Sequence, residues 1–227
     1  MITENLKYIE EIIQKKSFEL GRKRDEITVI AVSKNNPVNS IIEASNFGCI
    51  DFGENKAQEL REKAEKLIEK KLNWHFIGHL QTNKVKYVIK HAKYIHSVDS
   101  FELADEINKR AGLLDKVQSI FMECNISAEE SKFGLQDKDS IFELAEYVNN
   151  KTNLNLCGLM TMAPYTDDEQ IIRRTFKGLK NIFNEMNNNG FNLKELSMGM
   201  TNDFLIALEE GATMLRIGTA IFGERIY

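Results

Sequence analysis

The segment ITVIAVSK, residues 27–34, decides the fold class. It is apolar on both of its alternating faces, and the face that carries Ile30 and Val32 ends in Lys34. Strands that are apolar on both faces are typical of parallel sheets, which are covered on both sides. The amphipathic segment VNSIIEASNFG, residues 38–48, follows directly and has the periodicity of a helix. This succession predicts an α/β protein.

The same alternation of strand and helix recurs along the rest of the chain. Amphipathic segments at 56–71, 101–114 and 140–150 separate short β-branched or aromatic runs. Eight alternations in this length predict a (β/α)₈ TIM barrel, although a doubly wound open sheet has the same local pattern. An additional N-terminal helix precedes the first strand. Its apolar stripe is Ile2, Leu6, Ile9, Ile13 and Leu20, and the eight candidate strands are 27–34, 49–53, 73–78, 94–99, 119–126, 156–160, 195–199 and 214–218.

Length and composition predict one soluble domain that spans residues 1–227. The chain has only two prolines and no linker-like tract, so no domain boundary is expected. The net charge of −4 argues against a nucleic-acid-binding protein, which usually has a basic excess. The chain contains no apolar run of roughly 18 residues and no signal-peptide pattern, and its cysteine count of three is odd. We therefore expect a reduced, cytoplasmic protein that does not bind membranes.

Functional residues are expected at the C-terminal ends of the strands, in a barrel as in an open sheet. Lys34 ends the first strand. A partly desolvated amine at such a position has a lowered pKa and can form a Schiff base with a carbonyl compound. The alternative is a lysine that extends its charged group into solvent from the strand end.

The last two candidate strands lead into loops that combine glycine with a hydroxyl residue. These are Ser197 with Gly199, and Gly218 with Thr219. The loops after strands seven and eight of TIM barrels often bind phosphate through backbone N–H groups. The alternative is that the glycines allow tight turns and the hydroxyls cap helices.

Arg216 lies inside the eighth strand, where a guanidinium needs acceptors because it cannot lose its charge. It either faces an anionic ligand or an aromatic nitrogen, or forms a structural ion pair with Glu54 or Asp51. Asn55, after the second strand, is a candidate for orienting a ligand, and asparagine is equally common as a turn residue.

Metal and classical nucleotide sites are not expected. His75 and His79 are four residues apart on or beyond a strand, which separates them by roughly 13 Å. The sequence has no CxxC, HExxH, GxGxxG or Walker motif.

Seven longer motifs follow one another from about residue 27 to the C-terminus. They are AVSKNNP (31–37), DFGENKAQE (51–59), WHFIGHLQTNK (74–84), HSVDS (96–100), SKFGL (131–135), GLMTMAP (158–164) and LSMGMTNDFLIALEEGATMLRIGTAIFGER (196–225). Together they resemble the pyridoxal phosphate homeostasis protein family. The resemblance implies the barrel of the alanine racemase N-terminal domain without that enzyme's second domain.

The resemblance also implies a cofactor and its binding residues. Lys34 would hold pyridoxal 5′-phosphate (PLP) as a Schiff base, Arg216 would face the pyridine nitrogen, and Asn55 would lie near the ring. Asn35 stands where the family more often has threonine, a replacement that keeps a polar group. The phosphate would be held by Ser197, Gly199, Gly218 and Thr219.

Three functions are compatible with these residues. The first is a PLP-binding protein of vitamin B6 homeostasis without a reaction of its own, expected to be monomeric and to have PLP-dependent apoenzymes as recipients. The second is a PLP-dependent amino-acid racemase, although the chain ends at Tyr227 without the domain that supplies the second base in alanine racemase. The third is a cofactor-free aldolase that uses Lys34. An absorbance spectrum would separate the third from the others.

Overall fold

The computed structural model describes residues 1–127 and 133–223 and has a closed barrel of eight parallel strands. The strands follow one another around the barrel in chain order, and β1 closes the ring against β8. Part of the SKFGL motif and residues 224–227 lie outside the described residues. The strands are β1 (Thr28–Val32), β2 (Asp51–Glu54), β3 (Asn73–Phe76), β4 (Ala92–Val98), β5 (Gln118–Glu123), β6 (Leu154–Met160), β7 (Glu195–Ser197) and β8 (Met214–Ile217).

Helices connect the strands and surround the barrel. Each of the eight strand segments predicted from the sequence overlaps an observed strand, with ends that differ by a few residues. The helices are α1 (Ile2–Glu19), α2 (Val38–Phe47), α3 (Ala57–Lys66), α4 (Val85–Val88), α5 (Phe101–Gly112), α6 (Lys138–Asn149), α7 (Glu169–Asn188), α8 (Phe204–Glu209) and α9 (Thr219–Phe222), with short 3₁₀ turns at Arg24–Glu26, Ile68–Lys70 and Thr82–Lys84.

The pairing of the first and last strands excludes the doubly wound alternative. Thr28 pairs with Met214 and Ala31 with Ile217 in parallel register, so β1 has a neighbour on both sides. An open sheet would leave two edge strands unpaired. The predicted (β/α)₈ barrel is therefore confirmed.

The additional N-terminal helix is present as α1 and packs against α2, α8 and α9. The stripe from Ile2 to Ile13 is buried as predicted, but Leu20 is 36% exposed. The helix ends one residue before Leu20, and buried Ser17 takes the expected place on the stripe while its hydroxyl donates to the carbonyl of Ile13 at 2.7 Å. The inclusion of Leu20 in the stripe was wrong.

The barrel interior differs from the outer core in polarity. Trp74 and Phe76 belong to the large apolar cluster between strands and helices, as expected for core residues. The interior holds a small apolar layer and, beside it, a group of polar side chains that are at most 4% exposed. The layer is formed by Ile30, Phe121, Met160 and Met214, and the polar group comprises His75, His96, Ser197 and Arg216.

Candidate functional site

A cavity of about 680 Å³ opens at the C-terminal ends of the strands and is called the C-terminal cavity below. Its size lies within the range of small-molecule sites. Five of the seven predicted site residues line it, whereas Ser197 and Gly199 do not. The five are Lys34, Asn55, Arg216, Gly218 and Thr219.

Lys34 follows β1, and a buried ion pair holds the residue before it. Ser33 is fully buried, and its hydroxyl donates to Glu54 Oε1 at 2.6 Å. Lys63 Nζ donates to the Ser33 carbonyl and to Glu54 Oε1, each at 2.8 Å. Burial raises the pKa of Glu54, while the Lys63 charge and hydrogen bonds act in the opposite direction. The backbone that carries Lys34 is thus fixed from α3.

Asn35 turns the chain directly after Lys34. Its φ of 62° lies in the left-handed region, which asparagine tolerates better than most residues and threonine does not favour. The Asn35 N–H donates to Glu59 Oε1 at 2.7 Å, and Lys63 Nζ lies 2.7 Å from that oxygen. The left-handed backbone conformation therefore explains why asparagine stands at this position.

Arg216 points into the barrel and is 4% exposed. Its Nη1 donates to Ser197 Oγ at 2.7 Å and its Nη2 to the Thr161 carbonyl at 2.8 Å. These bonds are not the ion pair with Glu54 or Asp51 that the sequence left open. Glu54 pairs with Lys63 instead. Burial lowers the pKa of Arg216 to about 10, so the guanidinium is a cation at neutral pH.

Ser197 occupies a different place from the one expected of a phosphate ligand. Its side chain is fully buried, and its hydroxyl lies between Arg216 Nη1 and His96 Nδ1, 2.9 Å from the latter. The hydroxyl is therefore engaged inside the barrel and does not line the cavity.

Glu123 lines the cavity and was not singled out from the sequence. It is 4% exposed, and burial raises the pKa of its carboxyl group to about 7. The negative charge of Asp99 acts in the same direction, and the Arg216 cation opposes both. The alternation of side chains along a strand could have indicated Glu123, since it lies two residues after Phe121 and shares the inner face of β5 with that residue. The cavity thus contains a carboxyl group that titrates near neutral pH.

The two histidines inside the barrel were also missed. His75 Nδ1 lies 3.0 Å from His96 Nε2, and His75 Nε2 lies 2.9 Å from Asp51 Oδ1. Strand parity again contained the information, because His75 and His96 face inward on neighbouring strands. Within residues 1–127 and 133–223 no cluster of three metal-ligating side chains occurs, and no helix there is long and apolar enough to cross a bilayer.

The chain matches known proteins over nearly its whole length. The family model for the alanine racemase N-terminal domain matches residues 19–226. A pyridoxal phosphate homeostasis protein of Aquifex aeolicus is 42% identical over 99% of this chain and 98% of its own, and one of Pasteurella multocida is 37% identical over 100% and 98%.

The chain belongs to the pyridoxal phosphate homeostasis protein family. Among solved structures of similar chains is that of PipY of Synechococcus elongatus with PLP bound. It is 30% identical, has a TM-score of 0.86, and is matched over 98% of this chain and 100% of its own. The family resemblance seen in the sequence is thereby confirmed, and so is the barrel that it implied.

Proposed function

We propose that this protein binds PLP in the C-terminal cavity and acts in PLP homeostasis without a reaction of its own. The observation that carries the proposal is that Lys34 and Arg216 line one cavity in a chain whose structural relative was solved with PLP bound. The names of the full-length relatives support the same function.

The residues of the cavity suit PLP chemically. PLP carries an aldehyde, a pyridine nitrogen and a phosphate, and the cavity offers an amine, a guanidinium and the hydroxyl of Thr219. Asn55 Oδ1 is buried at the cavity and has no hydrogen-bond partner among the described residues. A buried polar atom without a partner is costly, so a ligand with a donor near the ring would relieve it.

Lys34 has the role of attachment in this proposal. Bound PLP would supply an aldehyde, which can condense with a primary amine with loss of water, and Lys34 would provide that amine. Lys63 is nearby, but its ammonium group is held by Glu54, Glu59 and the Ser33 carbonyl. Lys34 lines the C-terminal cavity and Lys63 does not, which supports Lys34 as the site of attachment.

Arg216 orients the ring and sets its electronic character. A permanent cation next to the pyridine nitrogen disfavours protonation of that nitrogen, which makes the ring a weaker electron sink. This suits a carrier or a racemase-like site better than a transaminase, so Arg216 does not by itself separate the first two functions. Burial and two hydrogen bonds inside the barrel orient the guanidinium before any ligand binds.

The phosphate would lie against the segments that follow β7 and β8. Gly218 and Thr219 line the cavity and would contribute backbone and hydroxyl groups. Gly199 would shape the turn after β7, and Ser197 would act indirectly, because its hydroxyl holds Arg216. We further propose that the protein is cytoplasmic and monomeric and that PLP-dependent apoenzymes are its recipients.

The attachment of PLP to Lys34 can be tested by absorbance and mass mapping. Purified protein incubated with PLP should develop an imine band, and borohydride should fix one cofactor on Lys34. Lys34→Ala should abolish the band, whereas Lys56→Ala should keep it, since Lys56 is an exposed neighbour whose ammonium contacts Asn35. Reduced cofactor found mainly on another lysine would contradict the proposed site.

The absence of a reaction can be tested with the same variants. PLP-loaded protein and a panel of amino acids should give no racemisation, transamination or decarboxylation above the level of the Lys34→Ala variant. Robust turnover that is lost in Lys34→Ala would instead support the racemase-type enzyme.

A further inference from the structure

Five side chains form an unbroken line of hydrogen bonds through the barrel interior, which we call the barrel hydrogen-bond chain. It begins at Arg216 on the C-terminal cavity and ends at Asp51 at the start of β2. Asp51 lines a second cavity, of about 390 Å³, that also contacts α1. The successive distances are 2.7 Å (Arg216–Ser197), 2.9 Å (Ser197–His96), 3.0 Å (His96–His75) and 2.9 Å (His75–Asp51).

Aromatic rings hold the two histidines in place. The His96 ring is stacked on Phe121 with a centroid distance of 4.2 Å and an interplanar angle of 7°. The His75 ring is stacked on Tyr94 at 4.9 Å. Both histidines are fully buried, so neither ring can exchange its partner for bulk water. The geometry of the chain is therefore built into the barrel.

The two ends of the chain determine where its protons lie. A guanidinium can only donate, so Ser197 Oγ accepts from Arg216 and has its own proton available to donate to His96 Nδ1. His96 then carries its proton on Nε2 and donates to His75 Nδ1. His75 in turn carries its proton on Nε2 and donates to Asp51.

Asp51 is suited to be the final acceptor. Its Oδ1 accepts from Asn73 Nδ2 at 3.0 Å as well as from His75. An ionised carboxylate has only acceptor sites, so both donors can be satisfied by the same oxygen. Each donor on the chain therefore has an acceptor, and all protons point from Arg216 towards Asp51.

A doubly protonated His75 is the competing arrangement. It would donate to both Asp51 and His96, and His96 would then donate to Ser197 Oγ. The serine would receive two hydrogen bonds and lose its acceptor on the chain. Burial favours the neutral rings, since it lowers the pKa of His75 and, more strongly, that of His96.

We propose that His75 and His96 are positioning residues for Arg216, which act as neutral Nε2–H rings in a one-directional hydrogen-bond chain that ends on Asp51. The chain fixes the proton of Ser197 away from the guanidinium and leaves the serine lone pairs facing it. The inference rests on the proposed function only in that Arg216 faces PLP, because the chain itself is a property of the ligand-free barrel.

Nitrogen NMR of the ligand-free protein tests the protonation states directly. The protein contains four histidines, and a variant with His79→Gln and His91→Gln retains only the histidine signals of His75 and His96. At pH 7.5 both rings should show a protonated Nε2 and an unprotonated Nδ1. A doubly protonated ring, or a proton on Nδ1 of either histidine, would overturn the proposal.

Exchange of the Arg216 guanidinium protons with solvent tests the positioning itself. His96→Phe keeps a ring against Phe121 but breaks the chain, and these protons should exchange at least about tenfold faster. Tyr94→Phe keeps the stacking on His75 and the chain, so it should leave the rate unchanged. Equal rates in wild type and His96→Phe would refute the role of the histidines.

Ser197→Ala covers the case in which His96→Phe does not fold. It removes the link between Arg216 and His96 and leaves both rings, so the same acceleration is expected and the His96 Nδ1 signal should shift. An unchanged exchange rate would again refute the proposal. None of these measurements uses PLP, so their failure is distinguishable from failure of the proposed function.

Discussion

Arg216 Nη1 lies 2.7 Å from Ser197 Oγ, so a side chain of β7 fixes the orientation of the guanidinium that β8 presents to the C-terminal cavity. The Thr161 carbonyl, after β6, fixes the other terminal nitrogen at 2.8 Å. Three successive segments of the barrel thus converge on one cation. The guanidinium is in place before any ligand arrives, which lowers the cost of ordering it on binding.

Ser197→Ala is expected to destabilise the ligand-free protein by about 1.5–3 kcal/mol, because it leaves a buried charged donor without its acceptor. Urea unfolding followed by circular dichroism measures this change. Ser17→Ala is a matched control, since Ser17 is equally buried but donates to a helix carbonyl, and it should cost about 1 kcal/mol or less. Equal losses in the two variants would contradict a special role of the Ser197 hydroxyl.

Lys63→Met is expected to lower the free energy of unfolding by about 3–5 kcal/mol. The substitution removes one partner of a buried ion pair and leaves Glu54, whose side chain is not exposed at all, without a counter-ion. Lys66→Met on the same helix is exposed and should change stability by about 0.5 kcal/mol or less.

PLP attachment to the Lys63→Met variant reports on the turn that carries Lys34. Because Lys63 binds the Ser33 carbonyl, the imine band should form more slowly at a temperature where the variant is still folded. Wild-type kinetics in a destabilised but folded variant would show that the ion pair stabilises the barrel without orienting Lys34.

Glu123→Gln is expected to stabilise the ligand-free protein at alkaline pH. The carboxyl pKa is about 7 in the folded protein against 4.5 for the ordinary group, so the folded state binds more protons between these values. The stability of the wild type therefore falls as pH rises from about 4.5 to 7. Glutamine does not ionise, so the Glu123→Gln variant does not lose this stability as pH rises.

Urea unfolding at pH 5 and pH 8 measures the effect of Glu123. The advantage of Glu123→Gln over wild type should grow by about 2 kcal/mol between the two pH values, since one pKa unit corresponds to about 1.4 kcal/mol. Asp139→Asn, at an exposed position of α6, controls for the general effect of removing a negative charge. A constant difference at both pH values would show that Glu123 does not titrate in this range.

The strands and the residues at their ends could be predicted from the sequence, because both depend on local patterns. Two-faced apolar runs identify buried parallel strands, and their ends identify the functional face of a barrel. Lys34 and Arg216 were found in this way, and the structure places both on one cavity.

The polar interior could not be predicted, because it depends on which strands are neighbours across the barrel. Ser197 has two partners, Arg216 on β8 and His96 on β4. The serine and the histidine are 101 residues apart in the sequence. Because Ser197 stands close to a glycine at a strand end, it was predicted to bind phosphate. Its position on the strand instead directs its side chain into the barrel. Strand parity indicated that Glu123, His75 and His96 face inward, but not which side chains they contact.

Gly218 and Gly199 are expected to respond differently to alanine. Gly199 has a φ of +93°, and an added Cβ would lie 2.6 Å from the Cβ of Ala207, so Gly199→Ala should destabilise the ligand-free protein by more than about 1 kcal/mol. Gly218 has a φ of −113°, and its added Cβ would lie 3.5 Å from Val32, which is ordinary contact. The fold itself therefore does not require glycine at Gly218.

Gly218→Ala should consequently keep its stability within about 1 kcal/mol of wild type and lose affinity for PLP by at least about tenfold. The reason is that Gly218 lines the C-terminal cavity, where a methyl group would hold a phosphate away from the backbone. Unfolding by urea and a fluorescence titration with PLP measure the two quantities on the same sample. If Gly218→Ala binds PLP as tightly as wild type, the phosphate does not lie against the segment after β8, and the proposed orientation of the ligand is wrong even though attachment to Lys34 would still stand.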